Sequence, residues 1–249
     1  MDALRPRHVA LAVGIAFVGP LVLGIALDLA DIHMRRWVGP LVGDALPALV
    51  AIFLLTRLGW WRRAGWRAPV WRSMHLLWLP LVLLTLSMIS GFSHHRDVDP
   101  GRIPGALLAV LVIGFTEETW FRGILVEALR SRGAPAAAVV SAAVFAAIHL
   151  VNVRALGLAS TLAQMLGAFA IGLMFGAVRL RIESLVPLVL IHAAFDFPYL
   201  LGVAPKPRPI TAEGVRVLGF LIAVSAVYAL VVTRHSKTED VSEVVPTLG

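Results

Sequence analysis

The chain has 249 residues, of which 59% are hydrophobic and only 15% charged, and its mean hydropathy is +0.85. A soluble domain carries about 25% charged residues, so a water-clothed globule and a disordered chain are both excluded. The absence of cysteine removes disulfide frameworks, thiolate metal sites and cysteine nucleophiles. The net charge of +7 fits basic loops that anchor membrane helices; no basic helix or basic–aromatic module suggests nucleic acid. The composition points to an all-α polytopic membrane protein.

Apolar runs of about 20 residues predict membrane helices, and eight can be read. They cover Val9–Leu27, Val38–Leu58, Met74–Phe92, Pro104–Arg130, Pro135–Val151, Leu156–Val178, Leu185–Gly202 and Gly214–Thr233. These runs are too long for barrel strands and do not alternate. The first is longer than a usual signal core and lacks a small-residue cleavage pattern before Asp28, so it reads as a retained helix. The whole reads as one integral membrane unit. Within it, residues 1–103 hold three helices, 104–202 the polar core motifs, 203–233 the last helix and 234–249 a polar tail.

With the N-terminus inside, inner segments carry thirteen Arg and Lys residues and outer segments eight. The segment holding Arg57, Arg62, Arg63, Arg67 and Arg72 dominates that bias, and it also holds Trp60, Trp61, Trp66 and Trp71, which suit a membrane interface. Both termini are therefore expected in the cytoplasm.

Ionisable side chains deep in a membrane are costly and are functional candidates by default. Glu117, Glu118 and Arg122 lie in the fourth span, His149 in the fifth, and His192 and Asp196 in the seventh. Asp44 sits near an end of the second that the sequence does not fix. Glu118 and Arg122 are four apart and can pair on one helix face, as a structural support. Glu117 points about 100° away and needs a partner from another helix. His192 and Asp196 again share a face, with Pro198 just beyond.

The fourth and fifth spans are joined by Ser131-Arg132-Gly133-Ala134-Pro135, a stop-and-start signal for antiparallel helices. Glu117 lies sixteen residues before Gly133 and His149 sixteen after it. A helical hairpin therefore brings the two level. At 1.5 Å per residue the fourth span is about 40 Å long, and His192 lies about 10 Å below the end of its own span. Both estimates place the group in the cytoplasmic half of the membrane.

A carboxylate and imidazoles converging in a low-dielectric cavity can activate water. They can instead bind a divalent metal such as zinc, with Glu117, His149, His192 and Asp196 as ligands, or relay protons in a transporter. No His-Glu-x-x-His pair, serine-protease turn, aspartyl pair, P-loop or dinucleotide fingerprint is present, so nucleotide use is not expected.

Glu117-Glu118-x-x-x-Arg122, Phe145-x-x-x-His149 and His192-x-x-x-Asp196, each in its own apolar span, resemble the three motifs of the CAAX prenyl protease type 2 family, the CPBP or Abi group of intramembrane proteases. The resemblance runs over about Leu107 to Leu201; the spans before Pro104 add only hydropathy. It implies an eight-helix fold with a cavity opening toward the cytoplasm, and hydrolysis of a peptide or membrane-associated protein. It implies Glu117 as the base for water and His149 as a group holding that water. His192 and Asp196 would bind the scissile carbonyl, with Glu118, Arg122 and Phe145 in support. Prenyl-processing members usually carry Asn where this chain has Asp196, which leaves CAAX specificity open. The Arg- and Ala-rich composition reads as bacterial, so the inner membrane is the expected location. A catalytically silent member acting as a bacteriocin-immunity or binding factor is the alternative.

Overall fold

A computed structural model describes residues 38–92, 98–202 and 211–234. The expected helix Val9–Leu27 and the polar tail lie outside the described residues. Every secondary-structure element among the described residues is helical. Among the described residues, six helices are long and apolar enough to cross a membrane: α1 (Val38–Leu58), α2 (Trp71–Phe92), α3 (Pro100–Arg132), α4 (Ala134–Leu156), α5 (Leu158–Ile182) and α7 (Ala212–Arg234). Between the last two lies α6 (Val186–Leu201), which has 16 residues. At 1.5 Å per residue α6 is about 24 Å long, short of the hydrocarbon thickness. The expected seventh span is therefore a shorter apolar helix held among the others. Leu49, Phe53, Ile89 and Phe220 point outward, as a bundle solvated by lipid tails requires.

Helix α3 packs on α1 and α6, α4 on α5, and α5 on α7. Three apolar clusters result. One joins α1 to the second half of α3 around Trp120 and Phe121. A second gathers α4, α5, α6 and α7 around Met174 and Phe175. The third joins the first half of α3 to α6 around Val110 and Ala193. The polar residues of interest lie where α3 and α6 meet.

Three local departures from regular helix shape that meeting. First, α3 widens to a π-helix over Glu118–Leu125, where a uniform α-helix is expected from sequence. Neighbours support the widened stretch. The Phe121 carbonyl accepts from both the Val126 N–H and the buried Ser141 hydroxyl, the latter at 2.8 Å. Trp120 Nε1 donates to the Pro47 carbonyl at 3.0 Å, and Trp66 Nε1 to Thr119 Oγ1 at 3.2 Å. π-bulges of this kind gather at functional sites. Second, α4 tightens to a 3-10 turn at His149–Asn152. Third, Gly133 turns the chain between α3 and α4 at φ 93°, with Pro135 opening α4, as the hairpin signal predicts.

Glycine sets the α3–α6 separation. A Cβ on Gly114 would lie 2.9 Å from the Val189 carbonyl oxygen of α6, a backbone atom that cannot rotate away. Gly114→Ala is expected to push α6 outward, lower stability by about 1–3 kcal/mol and reduce activity at the site below. Thermal unfolding and peptide cleavage on the same preparation check this, and an unchanged Tm would contradict it.

Candidate active site

Glu118 and Arg122 form the sealed floor of the site. Both side chains have 0% exposure, and Arg122 Nη1 donates to Glu118 Oε1 at 3.0 Å. The guanidinium also lies 4.1 Å over the Phe145 ring and 5.7 Å over Phe175. Burying a lone charge there would be costly, and pairing it with a carboxylate between two aromatic faces offsets that cost. Close approach of α5 is again a matter of glycine, because a Cβ on Gly172 would meet Arg122 Nη2 at 3.0 Å and Phe145 Cδ1 at 3.2 Å.

His192 stands on this floor. Its Nδ1 donates to Glu118 Oε1 at 2.7 Å, which fixes the ring's orientation. Its Nε2 then faces the other way, 3.3 Å from Glu117 Oε2 and 3.5 Å from Asp196 Oδ2. The partner that Glu117 needs from another helix is thus His192. Exposure rises outward through the group, from 0% at Glu118 to 11% at His192, 14% at Glu117 and 38% at Asp196. Glu117, His192 Nε2 and Asp196 form the reachable face, and Glu118 with Arg122 the hidden one.

His149 joins through Phe145. Its Nδ1 donates to the Phe145 carbonyl at 2.9 Å, which leaves Nε2 as the acceptor nitrogen of the neutral ring. The Phe145 ring stands edge-on to His149 at 4.9 Å and to His192 at 6.0 Å. One aromatic ring therefore spaces the two imidazoles. His149 is also within electrostatic reach of Asp196 and His192. The motif residues Glu117, Glu118, Arg122, Phe145, His149, His192 and Asp196 all line one locus.

Sequence reasoning undervalued α1. The spans before Pro104 were expected to add only hydropathy, yet half-buried Asp44 lies within electrostatic reach of Glu117, His192 and Asp196. Its backbone carbonyl also accepts from Thr116 Oγ1 at 3.4 Å. An acidic residue inside an apolar span was the available signal, but only packing against α3 fixes its depth. Phe175, 6.5 Å from the His192 ring, carried no signal in sequence at all.

Among the described residues, no three His, Asp or Glu side chains converge as ligands of one ion. The sequence expectation of Glu117, His149, His192 and Asp196 as a zinc set is therefore not assembled as a shell here.

With this geometry in view, comparison with known proteins adds one finding. Residues 99–198 match the family model described as Type II CAAX prenyl endopeptidase Rce1-like. The Rce1-like segment contains all three motifs and agrees with their CPBP resemblance. It supports a CAAX-type protease kind of function in an integral membrane protein. No curated protein and no solved structure matches the chain.

Proposed function

We propose that this protein is an intramembrane endopeptidase in which Glu117 activates water for attack on a peptide bond. The observation that carries this reading is the two-sided environment of His192. Nδ1 is held by buried Glu118, so Nε2 is presented between Glu117 and Asp196 on the reachable face.

In the proposed reaction a water bridges Glu117 and His149 Nε2. Glu117 takes a proton from it, and the hydroxide attacks the carbonyl carbon. Charge develops on the carbonyl oxygen, and a protonated His192 Nε2 donates to it; preorganised donors of this kind are a large part of catalysis in water-poor sites. An ionised Asp196 accepts only, so it orients His192 and does not itself bind the oxyanion. Glu117 then passes its proton to the leaving nitrogen as the C–N bond breaks. The products are a free carboxylate and a free amine. Every step uses side chains of this chain. The substrate is a membrane-associated peptide, with a prenylated C-terminal segment as the first class to test. The proposed setting is the cytoplasmic half of a bacterial inner membrane.

Purified protein in nonionic detergent, incubated with a farnesylated peptide ending in a CAAX sequence, tests this reading by mass spectrometry of the shortened peptide. Cleavage is expected for the native chain and not for His192→Ala. Equal cleavage by the variant would remove His192 from the reaction, and an intact peptide with folded native protein would remove the CAAX class. Elemental analysis of the same active preparation is expected to find zinc well below one per chain; stoichiometric zinc lost together with activity on chelation would reassign the four residues as ligands.

A further inference from the structure

A second polar site lies at the end of the bundle where α3 and α5 finish, about 15 Å along α3 from Glu117 at 1.5 Å per residue. There a cavity of about 140 Å³ is lined by Arg62, Arg63, Arg67, Arg130 and Arg179, with Glu127 and Glu183. The two carboxylates are already used. Glu183 pairs with Arg67 at 2.5 Å and Arg130 at 3.8 Å, and Glu127 with Arg130 at 3.3 Å. Among the described residues, Arg62, Arg63 and Arg179 line the cavity without a close ion pair, and Arg179 lies within electrostatic reach of Glu127 and Glu183.

Arg179 separates this cluster from ordinary loop anchoring. Basic residues in membrane loops normally reach water. Arg179 is only 3% exposed. Its Nη2 donates to the Arg63 carbonyl at 2.8 Å, while its buried Nε has no hydrogen-bond partner. A buried guanidinium with an unmet donor is costly, and the five arginines of the lining outnumber its two carboxylates by three, an excess that an anionic ligand offsets.

The cavity is built from backbone. Val70 N donates to the Ile182 carbonyl at 2.9 Å, Leu185 N to Gly65 O at 2.8 Å and Ser184 Oγ to Arg67 O at 2.7 Å. These bonds strap the segment after α1 to the α5–α6 turn. Gly65 (φ 101°) makes room, since a Cβ there would fall 2.5 Å from Arg179 Nε. Trp71 in the same segment is 75% exposed, as a tryptophan at the level of lipid headgroups is.

We infer that this cavity binds a phosphate group. An excess of three guanidinium groups over carboxylates in the lining suits a phosphomonoester dianion, and basic pockets between membrane helices take up such headgroups. A lipid headgroup and free phosphate share that chemistry. The inference stands apart from the peptidase reading.

Tryptophan-monitored thermal unfolding of the full chain in nonionic detergent tests it, with dioctanoyl phosphatidic acid, inorganic phosphate and dioctanoyl phosphatidylcholine as probes. Phosphatidic acid and inorganic phosphate are expected to raise Tm saturably, and phosphatidylcholine is not. A midpoint for phosphatidic acid at least about tenfold below that for phosphate marks a lipid site; comparable midpoints mark a free-phosphate site. Arg62 and Arg63 are exposed, so Arg62→Gln with Arg63→Gln preserves folding even if Arg179→Gln does not. The double variant is expected to raise the midpoint about 25-fold, at about fivefold per arginine. Glu117→Gln is expected to leave the midpoint unchanged. No stabilisation by either phosphate probe, equal stabilisation by phosphatidylcholine, or an unmoved midpoint in the double variant would overturn the site. So would a shifted midpoint in Glu117→Gln, which would place the signal at the other site.

Discussion

Glu117→Gln is expected to lower kcat for peptide cleavage by about two to four orders of magnitude, the usual contribution of a positioned general base, with Tm unchanged. The amide is nearly isosteric with the carboxylate and can still face His192 Nε2, 3.3 Å away in the native chain. What it loses is the ability to take a proton from water. At 14% exposure Glu117 is reachable, so no sealed cavity collapses when its charge is removed. Asp196→Asn makes the informative contrast. Asp196 is proposed to orient His192 and not to exchange protons, so that change is expected to cost less than a tenth of the Glu117 effect. A Glu117→Gln variant that keeps more than a tenth of native kcat would exclude Glu117 as the base.

Arg122→Ala is expected to be the most destabilising single change in the bundle, by about 3–5 kcal/mol, because it leaves a buried carboxylate without its counter-charge. Glu118 would then share its Oε1 with His192 alone, in a place with no solvent exposure. The two aromatic faces that pack on the guanidinium would also lose their cation. Removing both charges together, as Glu118→Gln with Arg122→Met, is expected to recover more than half of that loss, since apolar replacement of a buried pair is far milder than breaking it. Denaturation of Glu118→Gln, Arg122→Met and their double variant in one detergent gives the coupling directly. A cost below about 1 kcal/mol for Arg122→Ala, the worth of an exposed ion pair, would show that the pair is not a structural element. Activity separates the roles further. The double variant is expected to fold yet cleave poorly, because His192 Nδ1 loses its ionic acceptor.

Membership of the site divides along the same lines. Glu117, Glu118, Arg122, His149, His192 and Asp196 could be picked out individually because each is an ionisable group in an apolar run, where the cost of placing it is high. Their pairing within a helix was equally legible, since four-residue spacing brings Glu118 to Arg122 and His192 to Asp196. The hairpin through Gly133 correctly set His149 on the helix that packs beside α3. Equal residue counts assume a uniform rise per residue, which the π-helical stretch Glu118–Leu125 and the 3-10 turn at His149–Asn152 change locally. Phe145 links His149 to His192, as a ring shared between the two imidazoles.

Composition and hydropathy by themselves determined that this is an all-helical membrane protein and nearly where each described helix lies, because the cost of exposing backbone to lipid leaves few alternatives. They also determined which polar residues needed a reason. Only the tertiary structure decided how those residues are used. It turned His192 so that one nitrogen meets hidden Glu118 and the other Glu117, brought Asp44 from α1 into reach, shortened α6, and gathered arginines from three separate segments around one cavity. Those outcomes depend on close contacts between helices distant in sequence, at Gly114, Gly172 and Gly65, and periodicity along a single chain carries no information about such contacts.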